Sequence, residues 1–270
     1  LKVIRSGFAT REVIARFDAE RQAMALMDHA GIAKVLAAGA TENGLPYVVM
    51  ELVRGMPLTT YCDSHRLTIA QRVDLFIQVC HAVQHAHQKG VIHRDLKPSN
   101  ILVVEEDGEP RPKIIDFGIA KAVGGRLTEN TLITHVGVAL GTAAYMSPEQ
   151  ADGSALDVDT RADIYSLGVI LYELLCGKLP MDPEQMGYHV FLAGLASREW
   201  LVPLPSVRFA GLEYEKTTVA HLRRTDPERL QRDLAGDFDW IVLHALEPDR
   251  ARRYPTANAL VLDLQRSRMD

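Results

Sequence analysis

The chain has 270 residues, 47% of them hydrophobic, and sets 30 basic against 35 acidic side chains for a formal charge of −5. That composition supports a folded core and a globular chain, and the interspersed charge argues against a nucleic-acid or anionic-membrane surface. Cys62, Cys80 and Cys176 form no close pair, which disfavours a zinc knuckle or a disulfide framework and fits a reducing, cytoplasmic compartment.

Residues 11–28 place Val13, Phe17, Met24 and Met27 on one helical stripe, and Glu20 falls on the same stripe. A carboxylate turned towards a core is costly unless a cation meets it, so this helix demands a basic partner. Candidate strands at 34–39 and 46–52 are joined across Asn43-Gly44, a dipeptide suited to a tight hairpin. After Gly55 the pattern turns helical: Thr68 and Gln71 make a capping box ahead of Val73, Phe76, Ile77, Cys80, Val83 and His87 on one face, with Gly90 as the stop.

That helix delivers the chain to "VIHRDLKPSNILVV", residues 91–104, where Val91-Ile92 and Ile101 to Val104 read as short buried strands around His93, Arg94, Asp95, Lys97 and Asn100. A short strand over 113–115 ends at Asp116-Phe117-Gly118. The polar, Thr-rich segment 121–141 has no periodicity, the mark of a functional loop or disorder. From Asp163 to Cys176 the residues Ile164, Leu167, Ile170, Leu171, Leu174 and Leu175 predict a helix buried on most of its circumference, stopped by Gly177. It is too short, and too interrupted by Tyr165, Ser166 and Glu173, to cross a bilayer. A Pro- and Arg-containing stretch, 178–236, leads to two last helices over 237–247 and 255–267. The chain opens on Leu1 with no signal peptide, so it reads as a piece of a longer protein.

Asp95, Asn100 and Asp116 put hard oxygen donors at the ends of short strands, the donors Mg²⁺ prefers, and Lys97 adds a positive point charge two residues from Asp95. Two carboxylates, an amide and an ammonium gathered together make chemical sense around a metal-bound polyphosphate. Asp163, just ahead of an apolar helix, reads by itself as a helix cap. His81 and His85 lie one helical turn apart, but no carboxylate or cysteine joins them, so packing is the preferred reading over a metal site. Arg223-Arg224 and the pair Arg250 and Arg252 read as solvated basic faces among interleaved acids.

His93-Arg94-Asp95-Leu96 with Asn100, then Asp116-Phe117-Gly118, then Ser147-Pro148-Glu149, resembles the protein-kinase signature set in order and spacing. "GTAAYMSPEQ" (141–150) and "DIYSLGVILYELL" (163–175) are most similar to bacterial Hanks-type serine/threonine kinases, and the resemblance covers essentially the whole chain. It implies an α+β, bilobal kinase-like fold, with a small β-rich lobe at 1–53 and a mainly helical lobe at 54–270. It implies ATP with Mg²⁺, or Mn²⁺ in its place, protein substrates bearing Ser or Thr, and a dimer for autophosphorylation. It also admits a cytoplasmic domain of a larger, membrane-anchored protein.

On that resemblance Asp95 orients the substrate hydroxyl and accepts its proton, Asn100 and Asp116 hold metal, and Lys97 steadies the transferring phosphoryl group. Lys2 in "LKVI" stands where the family's ATP-binding lysine belongs, and Glu20 is then the cation's partner that the helical stripe already demands. Met50 flanks the adenine pocket, Glu51 and Val53 present backbone groups to the base, and Leu102 lines its floor. His93 and Asp163 brace the loop, and Glu149 with Arg253 forms a buried ion pair. Arg94 pairs with a phosphate on the activation loop, with Thr134 as first candidate and Thr131 and Thr128 behind it, while Thr142 sits in the segment that receives substrate. The family's glycine-rich phosphate loop precedes the lysine strand, so it is expected to lie outside this sequence. The small lobe is then incomplete and this segment alone is expected to be weak or inactive. The alternative is a pseudokinase that scaffolds partners without phosphotransfer.

Overall fold

The computed structural model describes residues 2–3, 27–42, 46–117, 143–152 and 158–267. β1 (Lys2–Val3), β2 (Val35–Ala40) and β3 (Pro46–Met50) form an antiparallel sheet in the order β1-β3-β2, with Lys2 opposite Val48. The hairpin residues Asn43 and Gly44 and most of the helix expected over 11–28 lie outside the described residues; Met27, which is described, is buried but not helical.

Backbone hydrogen bonds tie this small sheet to the larger body. Ile114 N–H donates to the Gly31 carbonyl at 2.8 Å and Ala33 N–H to the Ile114 carbonyl at 2.9 Å. The crossing chain then passes Gly55, where any Cβ would lie 2.7 Å from the Val103 carbonyl oxygen, so only glycine lets the backbone run this close. A second sheet follows, β4 (Met56–Pro57), β5 (Ile101–Glu106) and β6 (Glu109–Ile114), in the order β4-β5-β6. Its β5–β6 hairpin turns at Asp107-Gly108, both with positive φ (55° and 79°), the twist that matches right-handed strands.

The helical body is built on α1 (Leu58–Ser64), α2 (Ile69–Gln88), α3 (Pro148–Ala151) and α4 (Arg161–Cys176). α2 starts as its capping box predicts: Gln71 N–H donates to Thr68 Oγ1 and Thr68 N–H to Gln71 Oε1. Leu167, Ile170 and Leu171 of α4 are fully buried, which makes it the axis of the body, and Gly177 closes it in the left-handed conformation at φ 75°. Leu230, Ile241, Val242 and Leu260 complete the core around it, and Gly168 lets Ala245 and Leu246 press against the helix backbone.

Two expectations are corrected. The stretch 178–236 holds five helices: α5 (Pro183–Met186), α6 (Tyr188–Ser197), α7 (Pro205–Ala210), α8 (Lys216–His221) and α9 (Pro227–Leu234). The start signals were legible: Asp182-Pro183-Glu184 and Asp226-Pro227-Glu228 each set an aspartate cap before a first-turn proline and an acid. Val91-Ile92 is not a strand, because the amides that follow it are held by a side chain, described below. Helices α10 (Asp237–Ala245) and α11 (Ala257–Arg266) close the chain near their expected bounds.

Candidate active site

The site lies where β5 begins and β6 ends. Ile101 pairs with Ile114, and Ile115 N–H donates to the Asn100 carbonyl at 2.9 Å, so antiparallel pairing sets Asn100 beside the chain that carries Asp116. Asp116 itself adopts φ 57°, a left-handed conformation aspartate tolerates better than most residues, and Phe117 turns inward to full burial.

The loop 91–100 wraps around these ends. Asn100 Nδ2 donates to the Asp95 carbonyl at 2.9 Å and approaches Asp95 Oδ2 at 3.3 Å, which turns the amide oxygen Oδ1 away from Asp95. Lys97 Nζ lies 3.2 Å from Asp95 Oδ2. Asp95 is only partly exposed, so this contact is more than a solvent-screened surface pair.

His93 is fully buried and acts as the pin of the loop. Asp95 N–H donates to its Nδ1 at 3.2 Å, so Nδ1 offers its lone pair and Nε2 carries the proton that goes to the Ile115 carbonyl at 3.1 Å. Its ring also packs on Phe117 with centroids 4.7 Å apart. One imidazole thus fixes both the Asp95 segment and the Asp116 segment.

Asp163 is inside α4, not at its cap. Its Oδ2 accepts His93 N–H and lies 2.8 Å from His87 Nε2, and its Oδ1 accepts Arg94 N–H, each backbone contact being 2.8 Å. Arg94 is held at φ 64°. Burial works against the charged Asp163 carboxylate, but the His87 hydrogen bond and the His93 N–H outweigh it and hold its pKa below the ordinary range.

Met50, at the end of β3, packs on the core, while Glu51 and Val53 on the chain that crosses next are half-buried and Leu102 lies on β5 opposite Lys113. Below the site Arg253 spends all five of its N–H groups: Nη1 and Nη2 donate to the two Glu149 oxygens at 2.7 and 2.8 Å, and the rest go to the Glu247, Arg161 and Pro248 carbonyls. Gln150 then links this pair to the loop, since its Nε2 donates to the Arg94 carbonyl at 2.8 Å.

The structure therefore brings together His93, Arg94, Asp95, Lys97, Asn100, Asp116 and Asp163, and joins Glu149 to Arg253. Lys2 is placed on β1 by its backbone register alone; Glu20, Thr128, Thr131, Thr134 and Thr142 lie outside the described residues. Sequence reasoning missed Gln150 and the role of His87, which it placed on the apolar face of α2. It also misread Arg223, which is buried and donates to the Leu175, Leu174 and Glu173 carbonyls at the end of α4. That cap satisfies orphan helix carbonyls, and burial pulls the guanidinium pKa down to about 10.

The chain matches the protein kinase domain family over residues 1–204. It is 42% identical over 174 residues to serine/threonine-protein kinase Pkn1 of Myxococcus xanthus, an alignment covering 64% of this chain and 24% of that protein. It is 34% identical over 275 residues to serine/threonine-protein kinase PknB of Mycobacterium tuberculosis, covering 98% of this chain and 38% of that one. The crystal structure of the Mycobacterium tuberculosis PknI kinase domain superposes with a TM-score of 0.66 at 23% identity, over 98% of this chain and 83% of that one, a likeness of fold. The chain spans less than two fifths of the length of these two sequence relatives. The motifs, the fold and the family match agree: the chain belongs to the protein kinase domain family.

Proposed function

We propose that this chain transfers the γ-phosphoryl group of ATP to serine or threonine hydroxyls of proteins. The observation that supports it best is the convergence of Asp95, Lys97, Asn100 and Asp116 at the paired ends of β5 and β6. The donor set fits a magnesium-bound nucleotide, since Asn100 and Asp116 offer hard oxygens and Lys97 offers a cation. Bound there, Mg²⁺ would neutralise charge developing on the phosphates.

The chain's own residues do the rest. Asp95 accepts the proton of the incoming hydroxyl; Lys97 and Asn100, both in reach of its Oδ2, keep that carboxylate aimed. His93 and Asp163 hold the loop so that this geometry exists before substrate arrives, which is the larger part of phosphoryl-transfer catalysis. Met50, the backbone of Glu51 and Val53, and Leu102 receive the adenine ring, and Lys2 with Glu20 secures the phosphates. Arg94 receives a phosphorylated threonine, Thr134 first, then Thr131 or Thr128, and Thr142 meets the substrate.

The test is Mg·ATP turnover on protein and peptide hydroxyls by the chain extended ahead of Leu1, with mass spectrometry of the 121–141 segment after incubation. Phosphotransfer with phosphate at one of the three threonines is the expected result. Nucleotide binding without any transfer would favour the scaffold reading, and transfer with an unmodified segment would remove the regulatory role of Arg94.

A further inference from the structure

Glu51 sits on the crossing chain between the small sheet and the helical body, and its side chain points back into the protein. Its Oε1 accepts from Lys113 Nζ at 2.7 Å and its Oε2 from Lys34 N–H at 3.2 Å, while Glu51 N–H donates to the Lys34 carbonyl at 2.8 Å. One residue thus ties together three segments: the crossing chain, the stretch 31–34 and β6. Lys113 is only 15% exposed and Glu51 31% exposed. Lys113 is also 3.5 Å from Glu106, so a second carboxylate keeps the ammonium in place.

The position of Lys113 matters more than its charge. It is the penultimate residue of β6, three before Asp116, and lies across the register from Leu102 on β5. The stretch 31–33 is bonded to the same strand end through Ile114. A swing of residues 51–55 away from β6 pulls directly against the Lys113 contact, one end of a stretch whose other end, Gly55, lies close against Val103.

Resting on the kinase reading above, we infer that Lys113 is a positioning residue which, through Glu51, fixes the crossing chain at the distance from the Asp116 strand that nucleotide binding requires. The two groups reinforce each other's charge: the Lys113 hydrogen bond lowers the Glu51 pKa and the Glu51 hydrogen bond raises that of Lys113. The tie therefore persists throughout the neutral range and breaks only when Glu51 is protonated below its lowered pKa, or Lys113 deprotonated above its raised one.

Lys113→Met keeps the aliphatic stem and removes the ammonium. In the purified chain extended ahead of Leu1 it is expected to raise KM for ATP about fivefold with kcat changed less than about twofold, the size of effect a partly buried pair supports. Lys113→Arg should return KM to within about twofold of wild type, since it restores charge and reach. A residue serving only the fold would reduce the active fraction, and hence apparent kcat, with KM untouched; that result overturns the inference. Amide hydrogen exchange at 51–55 gives a readout that needs no turnover, and Lys113→Met should speed it about fivefold there but not at α4. If the wild-type chain extended ahead of Leu1 shows no phosphotransfer, the kinase reading fails while exchange still judges the tie; unchanged exchange at 51–55 overturns the tie in either case.

Discussion

Asp163 and Arg94 meet through a 2.8 Å hydrogen bond from the arginine's main-chain N–H to the aspartate's Oδ1, at a residue held at φ 64°. A non-glycine residue in that region costs energy, and the buried carboxylate of α4 is what the loop receives in exchange. Removing it with Asp163→Ala orphans two buried amides and His87, so unfolding in urea should show a loss of about 3 kcal/mol or more, with phosphotransfer abolished. Because its folded pKa lies below the ordinary 3.8, Asp163 contributes stability that is complete above that value and lost as pH falls through the lower one. Acid titration of the variant should lack that portion of the decline.

Arg253 and Glu149 form a fully buried, bidentate pair. Arg253→Ala leaves an uncompensated carboxylate and should cost about 3 to 5 kcal/mol in denaturant unfolding. Arg253→Lys should recover little of this, since an ammonium cannot match five planar donors to five fixed acceptors. A variant as stable as wild type would show that the pair contributes nothing net.

Asp116→Asn tests the proposed metal ligand without disturbing its backbone, because asparagine also accepts positive φ. The expected outcome is loss of phosphotransfer with a thermal midpoint nearly that of wild type. A large drop in melting temperature would assign Asp116 to the fold instead.

Glu173 runs against the usual carboxylate behaviour. Burial raises its pKa, and the Tyr145 hydroxyl, donating to Oε2 at 2.6 Å, only partly offsets this. A folded pKa above the unfolded 4.5 means the native state holds the proton more tightly, so Glu173 makes stability fall as pH rises from 4.5 through its raised value. Glu173→Gln should remove that fall and stabilise the protein at neutral pH; equal slopes in urea unfolding between pH 4 and 8 would refute this.

The sequence carried more of the site than of the body around it. Asp95, Lys97, Asn100 and Asp116 were legible because chemistry demands those groups in a fixed order, and α4 because thirteen residues repeat an apolar pattern. The five helices of 178–236 were not foreseen from periodicity, since pieces of four to ten residues hold too few turns to show one. Their caps were the usable signal. His87, Gln150 and Lys113 had none: each acts through a partner 56 to 76 residues away, and nothing local announces such a partner.

What the amino-acid order determined alone is local and chemical: which groups exist, which helices start at Thr68 and stop at Gly177, and which strands alternate. What the tertiary structure decided is which of two readings each charged group takes. Asp163 braces a loop where a helix cap was the other reading, and Arg223 is buried where a solvated face was expected. The reason is that a charge's role depends on the dielectric and the partners around it, and those are set by chain segments far away in sequence.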